Sequence, residues 1–246
     1  MRSWGVTLRV LPDLDAAARE GARLVAATAG TVLSRSGRFT LALAGGRTPR
    51  ALHAHLVSQA IDWERTVVLF GDERCVPSEH PDSNYRMARE SLLDRLPRPP
   101  GKVLRMEGEL PPADAAARYE EAMRQVFPGT PFPRIDLVIL GMGADGHTAS
   151  LFPGTAALTE HERWVAANHV PQLDAWRLTL TFPVLQSAAA VLFIVAGEDK
   201  APVLAEAFGG LPHPAPYPCE RARPTEGVLT VLADRAAASR LPQPLP

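Results

Sequence analysis

The chain has 246 residues, is 46% hydrophobic and 22% charged, and carries a formal net charge of −1 from 26 Lys+Arg against 27 Asp+Glu. That balance excludes a broad nucleic-acid-binding surface but leaves room for a small basic pocket. The sequence has two cysteines, Cys75 and Cys219, which excludes a disulfide framework and a cysteine metal cluster. No apolar run reaches the ~18 residues of a membrane span.

The first residues, MRSWGVTLRVLPD, lack the long apolar core of a signal peptide, so a soluble cytoplasmic protein is expected. There is no internal repeat, and a single domain over 1–246 is expected. Val6–Leu11 reads as a first strand and the Ala-rich Asp13–Ser34 as a helix. Phe39–Ala44 is a short apolar run stopping at Gly45-Gly46, the pattern of a buried strand. Thr48-Pro49 then opens a helix to about Gln59, with Thr48 as cap. Val67–Phe70 is another buried strand, and Asn84–Leu96 reads as helical. Val103–Met106 is a short edge strand, Ala113–Val126 a helix, and Ile135–Leu140 a third buried strand. Leu178–Phe182 alternates like a strand, Val191–Val195 is buried, and Lys200–Phe208 is helical. A last strand at Val228–Leu232 is followed by a helix at Asp234–Arg240.

Strands alternating with helices imply an α/β fold with a mainly parallel sheet and helices on both faces. In such sheets ligands bind beyond the carboxyl ends of the strands. Four of those ends are polar: Gly45-Gly46-Arg47-Thr48, Gly71-Asp72-Glu73-Arg74, Gly141 through His147, and Gly197-Glu198-Asp199-Lys200. Gly45 and Gly46 let a ligand approach the backbone, and a helix starting at Thr48 favours an anion. The same turn also reads as an ordinary strand-to-helix connection. In the second, Arg74 suits an anionic or polarised oxygen and Asp72 suits hydroxyl groups, unless these charges merely solvate an exposed turn.

The third, GMGADG, satisfies the dinucleotide pattern G-x-G-x-x-G. That pattern needs a long following helix and an acidic residue about 20 positions on, at a strand end. Here Phe152-Pro153-Gly154 interrupts too soon, and Glu160 and Glu162 end no obvious strand. The glycines are therefore expected to hold a turn that exposes His147, which can move a proton near neutral pH. His53 and His55 lie two apart on a helix and share no face for a metal. Arg177, opening RLTLTF, and Lys200 add local positive charge that suits a small phosphate monoester.

LALAGGRTPRAL, VLFGDERCVPSEHPDSNYRMARESLL, IDLVILGMGADGHTASLFPG, RLTLTFPVL and VAGEDKAPVL occur in that order. Together they resemble the signatures of the 6-phosphogluconolactonase family over residues from about 5 to about 240. The resemblance implies a single-domain modified Rossmann-like sheet shared with the glucosamine-6-phosphate deaminases and lacking a dinucleotide site. Those deaminases usually follow DGH with I-A-F-N-E-P and have D-E-Y where this chain has Asp72-Glu73-Arg74. Both differences favour the lactonase, with a deaminase/isomerase as the alternative. GVLTVLAD departs from the family, which commonly has a Trp before the final strand's Asp.

The implied reaction opens 6-phospho-D-glucono-1,5-lactone to 6-phospho-D-gluconate, with His147 as general acid/base and Arg74 steadying the tetrahedral oxyanion. The phosphate is expected on the turn Gly45, Gly46 and Thr48 with Arg177 and Lys200, and sugar hydroxyls at Asp72 and Asn84. Asp145 either orients His147 or caps its turn. No metal, cofactor or protein partner is implied. No G-x-S-x-G elbow is present, which counts against a serine esterase. A sugar-phosphate sensor on this fold would need an added DNA-binding segment, for which no basic helix is visible.

Overall fold

Continuously apolar strands need cover on both faces, and side chains alternating along each strand supply two separate cores. The computed structural model describes residues 6–242; the ends of the expected domain, 1–5 and 243–246, lie outside the described residues. In chain order the elements are β1 (Val6–Leu11), α1 (Leu14–Ser36), β2 (Phe39–Leu43), α2 (Arg47–Leu56), β3 (Thr66–Phe70), β4 (Asp72–Arg74) and α3 (Asn84–Ser91). They continue with β5 (Lys102–Val103), α4 (Pro112–Val126), β6 (Leu137–Leu140), β7 (Val165–Val170), β8 (Ala175–Leu180) and α5 (Phe182–Ser187). The chain closes with β9 (Ala190–Val195), α6 (Ala201–Ala207), α7 (Pro218–Arg221) and β10 (Val228–Asp234).

Seven strands form a sheet in the order β1-β10-β9-β6-β2-β3-β5, with every pairing parallel. Leu41, Leu43, Val68, Phe70, Ile139, Leu192 and Ile194 point to one face, where they meet α1, α2 and α3. Their neighbours Ala42, Leu69, Val138, Leu140, Val191 and Phe193 point to the other, where α4, α5 and α6 cover them. The helix α1 can lie flat on the sheet because its buried stripe is small: Ala17, Ala18, Ala22, Val25 and Ala29 are all fully buried. It starts at Asp13, whose side chain accepts from Ala16 N–H at 2.8 Å, and stops at Gly37 in the left-handed conformation, φ 73°.

The chain reverses direction in the sheet between β2 and β6. From β2 it runs outward through β3 to β5, and then returns to start β6 on the opposite side of β2. The crevice above such a reversal is where doubly wound sheets bind ligands.

Several expectations are corrected by the structure. The segment RLTLTF does not join the parallel sheet. Most of it forms β8 in a second, antiparallel sheet of order β4-β8-β7, and Phe182 already belongs to α5. Arg177 sits at the third position of β8 and does not open it. The charged Asp72-Glu73-Arg74 is β4 and not a solvated turn. Helix α2 begins at Arg47, not at a Thr48 cap; Gly46, at φ 97°, stands at the N-cap with no side-chain cap bond. A backbone that only glycine adopts readily makes the turn there, so no side-chain cap is needed. The helix expected at Asp234–Arg240 does not form: after β10, Arg235–Arg240 is a run of turns held by Asp234, which accepts from Ala237 N–H at 2.7 Å.

Candidate active site

A cavity of about 290 Å³ opens above the β2/β6 reversal and is lined from all four polar strand ends. Ala44 through Pro49 follow β2, Asp72 and Arg74 follow β3, Gly141, Met142, Gly143, His147 and Ala149 follow β6, and Ala196, Asp199 and Lys200 follow β9. Asn84, the first residue of α3, completes the wall.

His147 is held on three sides. Its Nδ1 lies 2.6 Å from Asp145 Oδ1, which also accepts from the His147 backbone N–H at 3.1 Å. The Phe152 ring stacks on the imidazole, with centroids 4.0 Å apart and planes inclined by 21°. Gly143 closes the third side: a Cβ there would lie 2.1 Å from His147 Nδ1. With a carboxylate on Nδ1, the neutral ring carries its proton there and presents Nε2 as a base. Burial works to raise the Asp145 carboxyl, but the hydrogen bond and charge of His147 outweigh it and leave Asp145 below its ordinary value.

The glycines around His147 make a turn and no helix. Gly143 N–H donates to His147 O at 2.8 Å, and Gly146 N–H donates to Gly143 O at 3.1 Å. The G-x-G-x-x-G letters therefore lack the helix N-terminus that holds a pyrophosphate. Two residues on, Ala149 lines the cavity with φ 48°. A left-handed alanine costs roughly 1–2 kcal/mol, stored beside the imidazole.

Asp72 and Asn84, which also line the cavity, belong to a buried polar network. Ser150 Oγ donates to Asp72 Oδ2 at 2.7 Å, and Asn84 Nδ2 donates to the Asp72 carbonyl at 2.9 Å. Asn84 is 1% exposed, and its Oδ1 has no hydrogen-bond partner. That oxygen lies over Gly45, where a Cβ would sit 1.8 Å away, so Gly45 must be glycine for Asn84 to reach the cavity. Asn84 is held there by Glu73, which points away from the site. Its carboxylate accepts from Asn84 N–H at 2.6 Å and Tyr85 N–H at 2.7 Å, capping α3. Burial raises the Glu73 carboxyl, and those backbone bonds oppose the rise.

Cations ring the cavity. Arg47, Arg74 and Lys200 line it. Arg177 does not line it: it stands across the sheet from Arg74, paired in register on β8, and faces a neighbouring groove with Cys75 and Trp176. Burial lowers the Arg177 guanidinium, and the charge of Arg74 lowers it further while Asp72 acts the other way. Two cations directly opposite on antiparallel strands repel unless an anion joins them.

Comparison with known proteins decides which family built this site. Residues 12–231 match the family described as glucosamine-6-phosphate isomerases/6-phosphogluconolactonase. A 6-phosphogluconolactonase of Nostoc sp. is 39% identical over 238 residues, covering 96% of this chain and 98% of its own. The chain belongs to this family. The structure of the 6-phosphogluconolactonase from Trypanosoma brucei superposes with a TM-score of 0.84 at 28% identity, covering 98% of this chain and 100% of that one. A monomeric glucosamine-6-phosphate deaminase, 20% identical with a TM-score of 0.78, shares the fold over 96% of this chain.

Within this family fold, the cavity brings together Gly45, Gly46, Thr48, Asp72, Arg74, Asn84, His147 and Lys200, with Asp145 directly behind the imidazole. Of the residues expected from the sequence, Arg177 alone stands back. Sequence reasoning missed Arg47, Ser150, Phe152 and Glu73. Arg47 carried a signal, a cation inside a Gly-rich turn. Phe152 read only as a helix breaker, and a buried Glu73 is illegible until its backbone donors are known. Among the described residues no helix is long and apolar enough to cross a membrane.

Proposed function

We propose that this chain hydrolyses 6-phospho-D-glucono-1,5-lactone to 6-phospho-D-gluconate, with His147 as the general acid/base. The lactonases it resembles support the reaction. The observation that carries the mechanism is the Asp145–His147 couple, 2.6 Å between Oδ1 and Nδ1, at the wall of a cavity ringed by cations.

With Nδ1 committed to Asp145, Nε2 takes a proton from water as the water oxygen attacks the lactone carbonyl. The carbonyl π pair moves onto its oxygen, and the Arg74 guanidinium steadies that oxyanion. Collapse breaks the bond from the carbonyl carbon to the ring oxygen, and Nε2 returns the proton to that oxygen. The free Oδ1 of Asn84 accepts from a sugar hydroxyl, while Asp72, occupied by Ser150, shapes the same wall.

The phosphate end takes the Gly45–Thr48 turn, Arg47 and Lys200, where the start of α2 adds its free N–H groups. Arg177, paired with Arg74 and outside the cavity, adds its charge at the oxyanion end and not at the phosphate. Anchoring the remote phosphate sets the carbonyl at His147, so binding energy serves the chemical step.

The test is hydrolysis of freshly generated 6-phosphogluconolactone, corrected for spontaneous opening. His147→Ala should lower kcat by roughly 10²–10⁴ with KM changed by only a few-fold. Near-full kcat in that variant removes His147 from the mechanism. Ammonia release from glucosamine-6-phosphate would favour the deaminase reading instead.

A further inference from the structure

The turn that carries Lys200 also carries an anion of its own. Gly197-Glu198-Asp199-Lys200 is a tight 3-10 turn, with Lys200 N–H donating to Gly197 O at 3.1 Å. Its first residue is pinned from below, where both Asp234 carboxylate oxygens accept from Gly197 N–H at 3.2 Å. The turn therefore presents Asp199 and Lys200 together at the cavity mouth, and both line it. Neighbouring residues seldom face each other, yet here Asp199 Oδ2 lies 2.8 Å from Lys200 Nζ. Arg47 lines the same mouth, and its charge acts on the same carboxylate. The hydrogen bond from Lys200, with Arg47 assisting, holds the Asp199 carboxyl below its ordinary value. An internal carboxylate thus occupies the cation to which the phosphate end of the substrate was assigned.

We propose that Asp199 is a built-in competitor for the phosphate seat and a specificity-determining residue of this site. It occupies Lys200 in the free protein and gives way to a phosphate. This rests on the phosphate reading of Lys200 above. The chemistry follows from charge. Asp199 is exposed, and exposed ion pairs are weak, so a phosphate ester with nearly two negative charges displaces the carboxylate readily. A singly charged or neutral group gains too little to do so. Asp199 therefore raises the threshold for occupying the seat, keeping singly charged groups out and trimming the advantage of the phosphorylated lactone over the unphosphorylated one.

The experiment compares kcat/KM for 6-phosphogluconolactone with kcat/KM for unphosphorylated glucono-1,5-lactone. Their ratio is the readout, and thermal melting checks folding. Asp199→Asn should raise the ratio about 5-fold, and inorganic phosphate should inhibit about 5-fold more tightly. Asp199→Glu, which keeps the charge, should hold the ratio within about two-fold of the parent. Lys200→Gln should lower the ratio by roughly tenfold, as expected for loss of a charge-assisted bond. In that background Asp199→Asn should add little, since the competed cation is gone.

An unchanged or lowered ratio in Asp199→Asn, beside a lowered ratio in Lys200→Gln, overturns the competitor while the phosphate seat stands. A lowered ratio would mean that Asp199 holds Lys200 in place instead. An unchanged ratio in Lys200→Gln overturns the phosphate seat itself, and the competitor with it.

Discussion

At Gly143 one methyl group separates an open site from a blocked one. A Cβ there would lie 2.1 Å from His147 Nδ1 and 2.4 Å from Asp145 Oδ1, inside van der Waals contact with both. Gly143→Ala should therefore swing the imidazole away from its carboxylate. Because both displaced side chains are partly exposed, the fold should tolerate the change. We expect kcat to fall about 100-fold with a melting temperature within a few degrees of the parent. A fully active Gly143→Ala protein would show that the Asp145–His147 contact is dispensable. The same scale explains what sequence reading could and could not see. His147 was legible because a histidine after two glycines at a strand end has few bland explanations. The Asp145 role stayed open because two residues of separation permit either a cap or a partner. In the structure one carboxylate makes both contacts, at 2.6 Å to Nδ1 and 3.1 Å to the backbone N–H.

At the scale of elements, α2 and α3 are tied by a buried histidine that faces away from the cavity chemistry. His53 is fully buried in α2, and its Nδ1 lies 2.8 Å from Ser91 Oγ at the end of α3. Ser91 gives its own proton to Met87 O at 2.6 Å, so Nδ1 is the donor and Nε2 is left as an unpartnered acceptor. Burial lowers the His53 pKa from 6.5 to about 4. The folded state therefore refuses a proton that the unfolded chain accepts. Stability is full above the unfolded value of 6.5 and falls as the pH drops toward about 4, where the folded ring also protonates. His53→Gln should lower stability at pH 7 but flatten this acid loss, measured as the slope of melting temperature between pH 6.5 and pH 4 relative to the parent. An identical slope would assign the acid loss to other groups. Elements with strong local signals were legible: α1 is Ala-rich and periodic, and β2, β3, β6 and β9 are short apolar runs. The strand β4 was not, because Asp72-Glu73-Arg74 carries no apolar residue. Glu73 becomes tolerable in a buried strand only when the N-terminus of α3 supplies its donors.

For the whole molecule, the cavity is assembled from strand ends far apart in sequence, so a ligand there clamps several elements at once. Ser150 reaches Asp72 across 78 residues, and the lining runs from Ala44 to Lys200. A product that binds only the folded state, 6-phosphogluconate, should raise the melting temperature. At 100 times its Kd the gain is about 2.7 kcal/mol, or roughly 5–10 °C for a chain of this size. Lys200→Gln should shrink that shift at the same ligand concentration. An equal shift in the variant would argue against a phosphate seat at Lys200.

The sequence by itself determined the α/β class, the strands whose carboxyl ends carry polar residues, and the family signatures, because each rests on a local pattern of apolar spacing and glycines. Tertiary structure decided how those ends converge: that β8 pairs antiparallel with β4, that Arg47 lines the cavity while Arg177 stands behind Arg74, and that Asn84 turns an unpartnered oxygen over Gly45. These depend on which distant strands become neighbours. Side-chain periodicity reports how deeply a strand is buried but carries no information about the partner beside it.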